Sequence, residues 1–161
     1  MILGEIMEIC DIYNHHNALS IIDLYRITYK EIIEIIKKCD LSFGLNRPKE
    51  IKNYYSREFN SKGWADRVKI KNNNNLTINF AKNHLGVCFQ FGNIARTYAD
   101  MLKLTYLCKK SVIEIGILIV PDEIESKKLG ANYAQFERLA REIEIFSDII
   151  NVPIQIISLR N

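Results

Sequence analysis

The stretch Thr77-Ile78-Asn79-Phe80-Ala81-Lys82-Asn83-His84-Leu85-Gly86-Val87-Cys88-Phe89-Gln90-Phe91-Gly92-Asn93 decides the reading of this chain. Leu76 to Phe80 and Leu85 to Phe91 are rich in β-branched and aromatic residues and predict two strands. Ala81-Lys82-Asn83-His84 is the tight turn between them. Gln90 is a polar residue in an otherwise apolar strand. A buried amide must find hydrogen-bond partners, so Gln90 points to a site rather than to plain core. Gly92-Asn93 then opens a helix over Ile94 to Lys109, and the free N–H groups at such a start suit a phosphate. On this helix Ala95, Tyr98, Ala99, Leu102 and Tyr106 share one face.

Upstream, Glu5 to Tyr13 reads as a first strand and Asn17 begins a helical region. Tyr29 to Lys38 is an amphipathic helix with Ile32, Ile35 and Ile36 as its core stripe and Glu34 at contact spacing from Lys37 and Lys38. Phe43 to Pro48 is a loop, Pro48 begins a helix that Glu50 to Ser61 continues, and Lys62-Gly63 closes it. Arg67 to Lys71 is a short strand ending in the turn Asn72-Asn73-Asn74-Asn75. Downstream, Val112 to Val120 is almost unbroken in apolar residues, as in a strand buried on both faces. Asn132 to Ile149 predicts one long helix, and Val152 to Leu159 a last strand. The order predicts an α/β fold, a mixed sheet flanked by helices on both sides, in a single domain spanning 1–161.

Composition excludes several classes. The 161 residues are 48% hydrophobic and 25% charged, a globular balance. The longest apolar run, Ile115 to Pro121, is far short of the roughly 20 residues of a membrane span. Met1 to Glu5 carries no basic segment leading into an apolar one, so no signal peptide is expected and a cytoplasmic location is. Cys10, Cys39, Cys88 and Cys108 are scattered without zinc spacing; buried free thiols are the expectation, ahead of a metal site with His15, His16 or His84. A net charge of +3 permits a nucleic-acid partner without demanding one.

Around Asn79-to-Gln90 the chain resembles the BglII/BstYI restriction endonucleases, whose core is the PD-(D/E)XK nuclease fold. That family places an Asp near the end of one strand and, nine residues on, a Glu-x-Gln on the next. Phe, a small residue and often an Asn follow, and then a helix. The likeness continues, in order, through Lys62-Gly63-Trp64, Asp100, the strand Ile115 to Pro121, Asn132-Tyr133-Ala134-Gln135-Phe136-Glu137 and Val152-Pro153-Ile154. It implies a type II enzyme that recognises a short palindromic, GATC-containing site in double-stranded DNA as a homodimer and hydrolyses phosphodiester bonds with Mg²⁺. The catalytic positions it implies are Asn79, Cys88 and Gln90, with Asn79 and Cys88 as the metal positions.

Two of these positions depart from the family. Asn79 stands at the Asp and Cys88 at the Glu. A hard Mg²⁺ ion wants carboxylate oxygens; an amide carbonyl is neutral and a thiolate is a soft ligand that suits zinc better. The alternative is therefore a DNA-binding homologue that has lost cleavage. On the residues alone, Asn79 could be a strand-edge polar residue and Cys88 a small core hydrophobe. Asn93 could read a base, as the resemblance implies, or simply cap its helix. Arg96 could contact phosphate or pair with Asp100 at i+4, and the pair is the expectation. Asn132 and Tyr133 are candidate DNA contacts at the start of the long helix. Lys127, Lys128, Arg138 and Arg141 read as solvated helix faces.

Overall fold

The computed structural model describes residues 6–161. Glu5, the expected first residue of the first strand, lies outside them, as do the residues on which the signal-peptide reading rests. The elements run β1 (Glu8–His15), α1 (Ala18–Leu24), α2 (Arg26–Lys37), α3 (Pro48–Ser61), β2 (Ala65–Lys69), β3 (Thr77–Lys82), β4 (Leu85–Phe89), α4 (Ile94–Lys109), β5 (Ile115–Pro121), α5 (Glu123–Leu129), α6 (Phe136–Ile145) and β6 (Ile154–Arg160).

The strands form one mixed sheet in the order β1-β6-β5-β4-β3-β2. β4, β5 and β6 are parallel at its centre, and β1, β3 and β2 are antiparallel to their neighbours. Every residue of β5 is buried, as its unbroken apolar run requires of a strand covered on both faces. One face carries Ile32, Ile35 and Ile36 of α2 with Ile51, Tyr55 and Phe59 of α3, packed on Phe80, Val87, Phe89 and Ile117. The other carries Met101, Leu104 and Leu107 of α4 with Leu139 and Ile143 of α6, packed on Ile78, Cys88, Leu118 and Ile156. The sheet with helices on both sides is the expected architecture.

Several boundaries differ from expectation, each for a local reason. β3 runs on to Lys82, so the hairpin turn is only Asn83-His84, both left-handed at φ 45° and 67°. A two-residue turn with positive φ at both positions matches the twist of the flanking strands. The strand after α3 lies two residues earlier than expected, at Ala65–Lys69. Glu34 pairs with Lys30 and with Lys62 of the next helix's end rather than with Lys37 or Lys38.

The expected long helix over Asn132 to Ile149 is instead the shorter α6 at Phe136–Ile145, and a separate short helix, α5, precedes it. α5 was missed although Asp122 and Glu125 spell a helix start; Asp122 is fully buried, accepts the Glu125 N–H at 2.8 Å and pairs with Arg160. Asn132 has a left-handed φ of 58° and Tyr133 forms an antiparallel bridge with Asn93, so neither belongs to α6. Lys128 also departs from a free solvated face, because it pairs with the buried Glu125. Arg138 pairs with Glu142 and Lys127 with Glu123.

The residues expected to share one face of α4 do so, and that face points outward: Ala95, Ala99 and Leu102 are exposed, with Tyr98 and Tyr106 half-buried beside them. The opposite face buries Ile94, Thr97, Asp100, Met101, Leu104, Thr105 and Leu107. Close approach to β5 decides this rotation. Leu104 lies over Gly116, where an added Cβ would sit 2.9 Å from Leu104 Cβ. Gly116→Ala should therefore lower stability by about 1–3 kcal/mol through overpacking, read as a fall in the urea midpoint at unchanged slope. An unchanged midpoint would show that α4 can slide on the sheet.

Candidate active site and nucleic-acid interface

The site lies where β3 and β4 part company at the carboxyl end of β4. The ladder between them pairs Phe80 with Val87, Ala81 with Gly86 and Lys82 with Leu85, and goes no further. Beyond it the Asn79 side chain replaces a backbone acceptor: its Oδ1 takes the Phe89 N–H at 2.9 Å. Since the Phe89 N–H can only donate, the amide orientation follows, and Asn79 keeps its Nδ2 group as a donor. Cys88 is fully buried beside it in the α4-side core. Burial pushes its thiol pKa far up, the Asp100 carboxylate adds to that, and the Asn79 backbone amide opposes it. The sulfur is a neutral thiol at any ordinary pH.

Gln90 is buried, and both ends of its amide are used. Nε2 donates to Asp100 Oδ2 at 3.0 Å, and Oε1 accepts the Gly92 N–H at 3.1 Å. The second Asp100 oxygen accepts from Lys103 Nζ at 3.0 Å. Asp100 therefore pairs with Lys103, not with Arg96, contrary to the expected i+4 pair. Residues four apart on a helix are neighbours, but the pull of Gln90 turns Asp100 toward the sheet, where Lys103 reaches it and Arg96 does not. Arg96 stays exposed, with Nη1 beside Gly92; an added Cβ there would be 3.9 Å away.

Asn93 caps α4 through its side-chain oxygen, which accepts the Ala95 N–H at 2.8 Å. The other DNA candidates gather around it. Ile94 N–H donates to Asn132 O at 2.8 Å and Ala134 N–H to Gly92 O at 2.7 Å, so the exposed Asn93 and Asn132 and the half-buried Tyr133 stand together. Gly130 makes room for the Tyr133 ring, 2.8 Å from where a Cβ would project.

A family model for restriction endonuclease BglII/BglIII matches residues 10–159. The chain belongs to that family. Two crystal structures share its fold. Restriction endonuclease BglII complexed with a DNA 16-mer is 19% identical over 94% of this chain and 78% of that one, with a TM-score of 0.79. Free BglII is 20% identical over 94% and 79%, with a TM-score of 0.71. No curated protein matches the sequence.

Such endonucleases imply a divalent metal, and the groups at Asn79 and Cys88 do not fit Mg²⁺. One offers an amide oxygen already holding a backbone N–H, the other a buried neutral thiol, and both oxygens of the nearby Asp100 are engaged. Glu114 and Asp66 do not make up the loss: Glu114 accepts the Tyr25 hydroxyl at 2.6 Å, and Asp66 is exposed on the edge strand β2. His15, the buried member of the histidine pair, bonds the Ile150 carbonyl through Nε2.

Sequence reasoning missed Lys52 of α3. It is half-buried on α3, one turn before Tyr55, whose ring stacks on Phe89 at 4.3 Å, and that packing brings it to the end of β4 where this site lies. Burial holds its ammonium pKa below the usual lysine value, Arg96 pushes the same way, and Asp100 opposes. On the sequence it is one more lysine on the polar side of a helix, and nothing local distinguishes it.

Proposed function

We propose that this chain is a cytoplasmic duplex-DNA-binding member of the restriction endonuclease family whose Mg²⁺-dependent cleavage is lost or severely impaired. It recognises a short palindromic, GATC-containing site as a homodimer. The observation that carries the loss of cleavage is the state of the metal positions: the Asn79 oxygen is committed to Phe89 and the Cys88 thiol is sealed in the core. DNA binding is supported by the family, by the DNA-bound BglII that shares the fold, and by the exposed set Asn93, Arg96 and Asn132 at the start of α4.

A homodimer is supported by α4. Ala95, Ala99, Leu102 and Tyr106 follow the alternating four-and-three spacing of a coiled-coil seam on the outward face. Leu102 is 57% exposed, and Phe146 and Ile149 extend the apolar surface on one side and Leu76 on the other. A two-fold interface presents the same patch twice, and a palindromic site has matching two-fold symmetry. No helix among the described residues is long and apolar enough to cross a membrane.

The deciding experiment combines gel-shift and digestion on a GATC duplex, with and without Mg²⁺. Specific retention without cutting is expected. Efficient cutting would sink the loss of cleavage, and absence of binding would sink the DNA reading. Asn93→Ala tests the interface more finely. Its oxygen already accepts the Ala95 N–H, and its Nδ2 donors are left to meet a base. The variant should weaken GATC binding by roughly 1–3 kcal/mol while sparing random duplex. Equal losses on both duplexes would reduce Asn93 to a helix cap.

A further inference from the structure

We propose that the former metal position of this chain is a metal-free phosphate clamp, in which Lys52, Arg96 and the Asn79 amide hold a backbone phosphate of duplex DNA directly. The inference rests on the DNA-binding reading above and adds how the site holds its partner.

A divalent ion needs a set of acceptors, whereas a phosphate needs a set of donors and positive charge. The site has been converted from the first kind to the second. Asn79 spends its oxygen on Phe89 and keeps its Nδ2 donors. The nearby Asp100 carboxylate is already held by Gln90 and Lys103. Against it stand Lys103, Lys52 and Arg96. Neither Lys52 nor Arg96 has an ion-pair or side-chain hydrogen-bond partner among the described residues.

Two unpaired cations that repel each other, one of them half-buried, are unfavourable on their own account. An anion between them removes the repulsion and supplies the missing partner. Arg96 is placed for this: its guanidinium lies beside Gly92 and the Gln90 amide, within the first turn of α4, where the helix dipole also favours negative charge. Lys52 approaches from α3, on the opposite face of the sheet, one turn before the Tyr55 ring that stacks on Phe89 at 4.3 Å at the end of β4. The two cations thus close on the end of β4 from two layers. The phosphodiester takes the place that carboxylate-bound Mg²⁺ fills in the metal-dependent design.

The test is fluorescence anisotropy of a labelled GATC duplex, in EDTA and in Ca²⁺ at matched ionic strength. Affinity should agree between the two conditions to within about twofold, since no ion is needed to neutralise the site. Lys52→Ala should weaken binding about tenfold and reduce the salt slope by about 1, with Lys52→Arg keeping most of both. Removing an unpaired, half-buried cation should hold or raise Tm, so weaker binding by Lys52→Ala cannot be put down to unfolding. Binding that Ca²⁺ tightens by more than about tenfold would overturn the clamp, because carboxylates would then be holding an ion. So would parental affinity and salt slope in Lys52→Ala. If the parent binds no DNA in either condition, the DNA reading itself fails and the clamp with it.

Discussion

Asn79→Asp combined with Cys88→Glu should raise Mg²⁺-dependent cutting of plasmid DNA roughly a hundredfold or more over the parent chain. The expectation rests on what surrounds the two positions. They are neighbours across the end of the β3–β4 ladder, and Gln90 shares a strand face with Cys88 and is tied to Asp100. An Asp at position 79 has to give up the bond from the Phe89 N–H only in part, since a carboxylate has a second oxygen to offer.

A Glu at position 88 is harder to place. The site is fully buried among Ile78, Met101, Leu104 and Leu118, and close enough to Asp100 to feel its charge. Cys88→Glu alone should therefore cost ~3–5 kcal/mol if the carboxylate is left charged and unpaired. Mg²⁺ should raise the Tm of the double variant and leave the parent unmoved, because an ion bound only to the native state stabilises it. Single restorations should recover little activity, since the ion needs anionic oxygens from both strands. Vigorous cutting by the unmodified chain would show that other groups hold the metal. A double variant that binds DNA, gains stability from Mg²⁺ and still does not cut would place a further loss outside this motif.

Leu102→Glu should dissociate the proposed homodimer and lower affinity for a palindromic duplex by about 10²-fold or more. Once one subunit is bound to one half-site, a tethered partner meets the second half-site at high effective concentration; a monomer loses that gain without losing any contact to its own half-site. The substitution puts like charges opposite each other at the centre of a two-fold seam. Leu102 is exposed, so the fold should tolerate it, and circular dichroism should be unchanged. Mass by light scattering and anisotropy on full and half sites read the two effects separately. A parental mass and parental affinity would move the interface elsewhere. A monomer that kept full palindrome affinity would show that one subunit suffices to read the site.

Much of this was legible without coordinates. The apolar run at Ile115 to Pro121 names a doubly covered strand because seven consecutive buried residues have no other home in a small fold. α2 and α4 were legible from their apolar spacing, and Pro48 and Gly63 punctuated α3. The departure from the family motif could be read letter by letter, because losing a carboxylate is a matter of residue type alone.

What only the tertiary structure decided are the choices between equally good local options. The two faces of α4 are both apolar enough to be buried, and the bare backbone at Gly116 together with the Gln90–Asp100 bond selects one of them. Arg96 and Lys103 are both at contact spacing from Asp100, and the inward turn of that carboxylate gives it to Lys103. Asn132 and Tyr133 look like helix on propensity, but bridging to Asn93 and Gly92 draws them out of α6. Lys52 is twenty-seven residues before Asn79, and only the packing of α3 over the end of β4, where Tyr55 stacks on Phe89, brings its charge to the site. Residue type states what chemistry a position has lost; which neighbours compensate is set by contacts between segments far apart in the chain, and no local pattern encodes those.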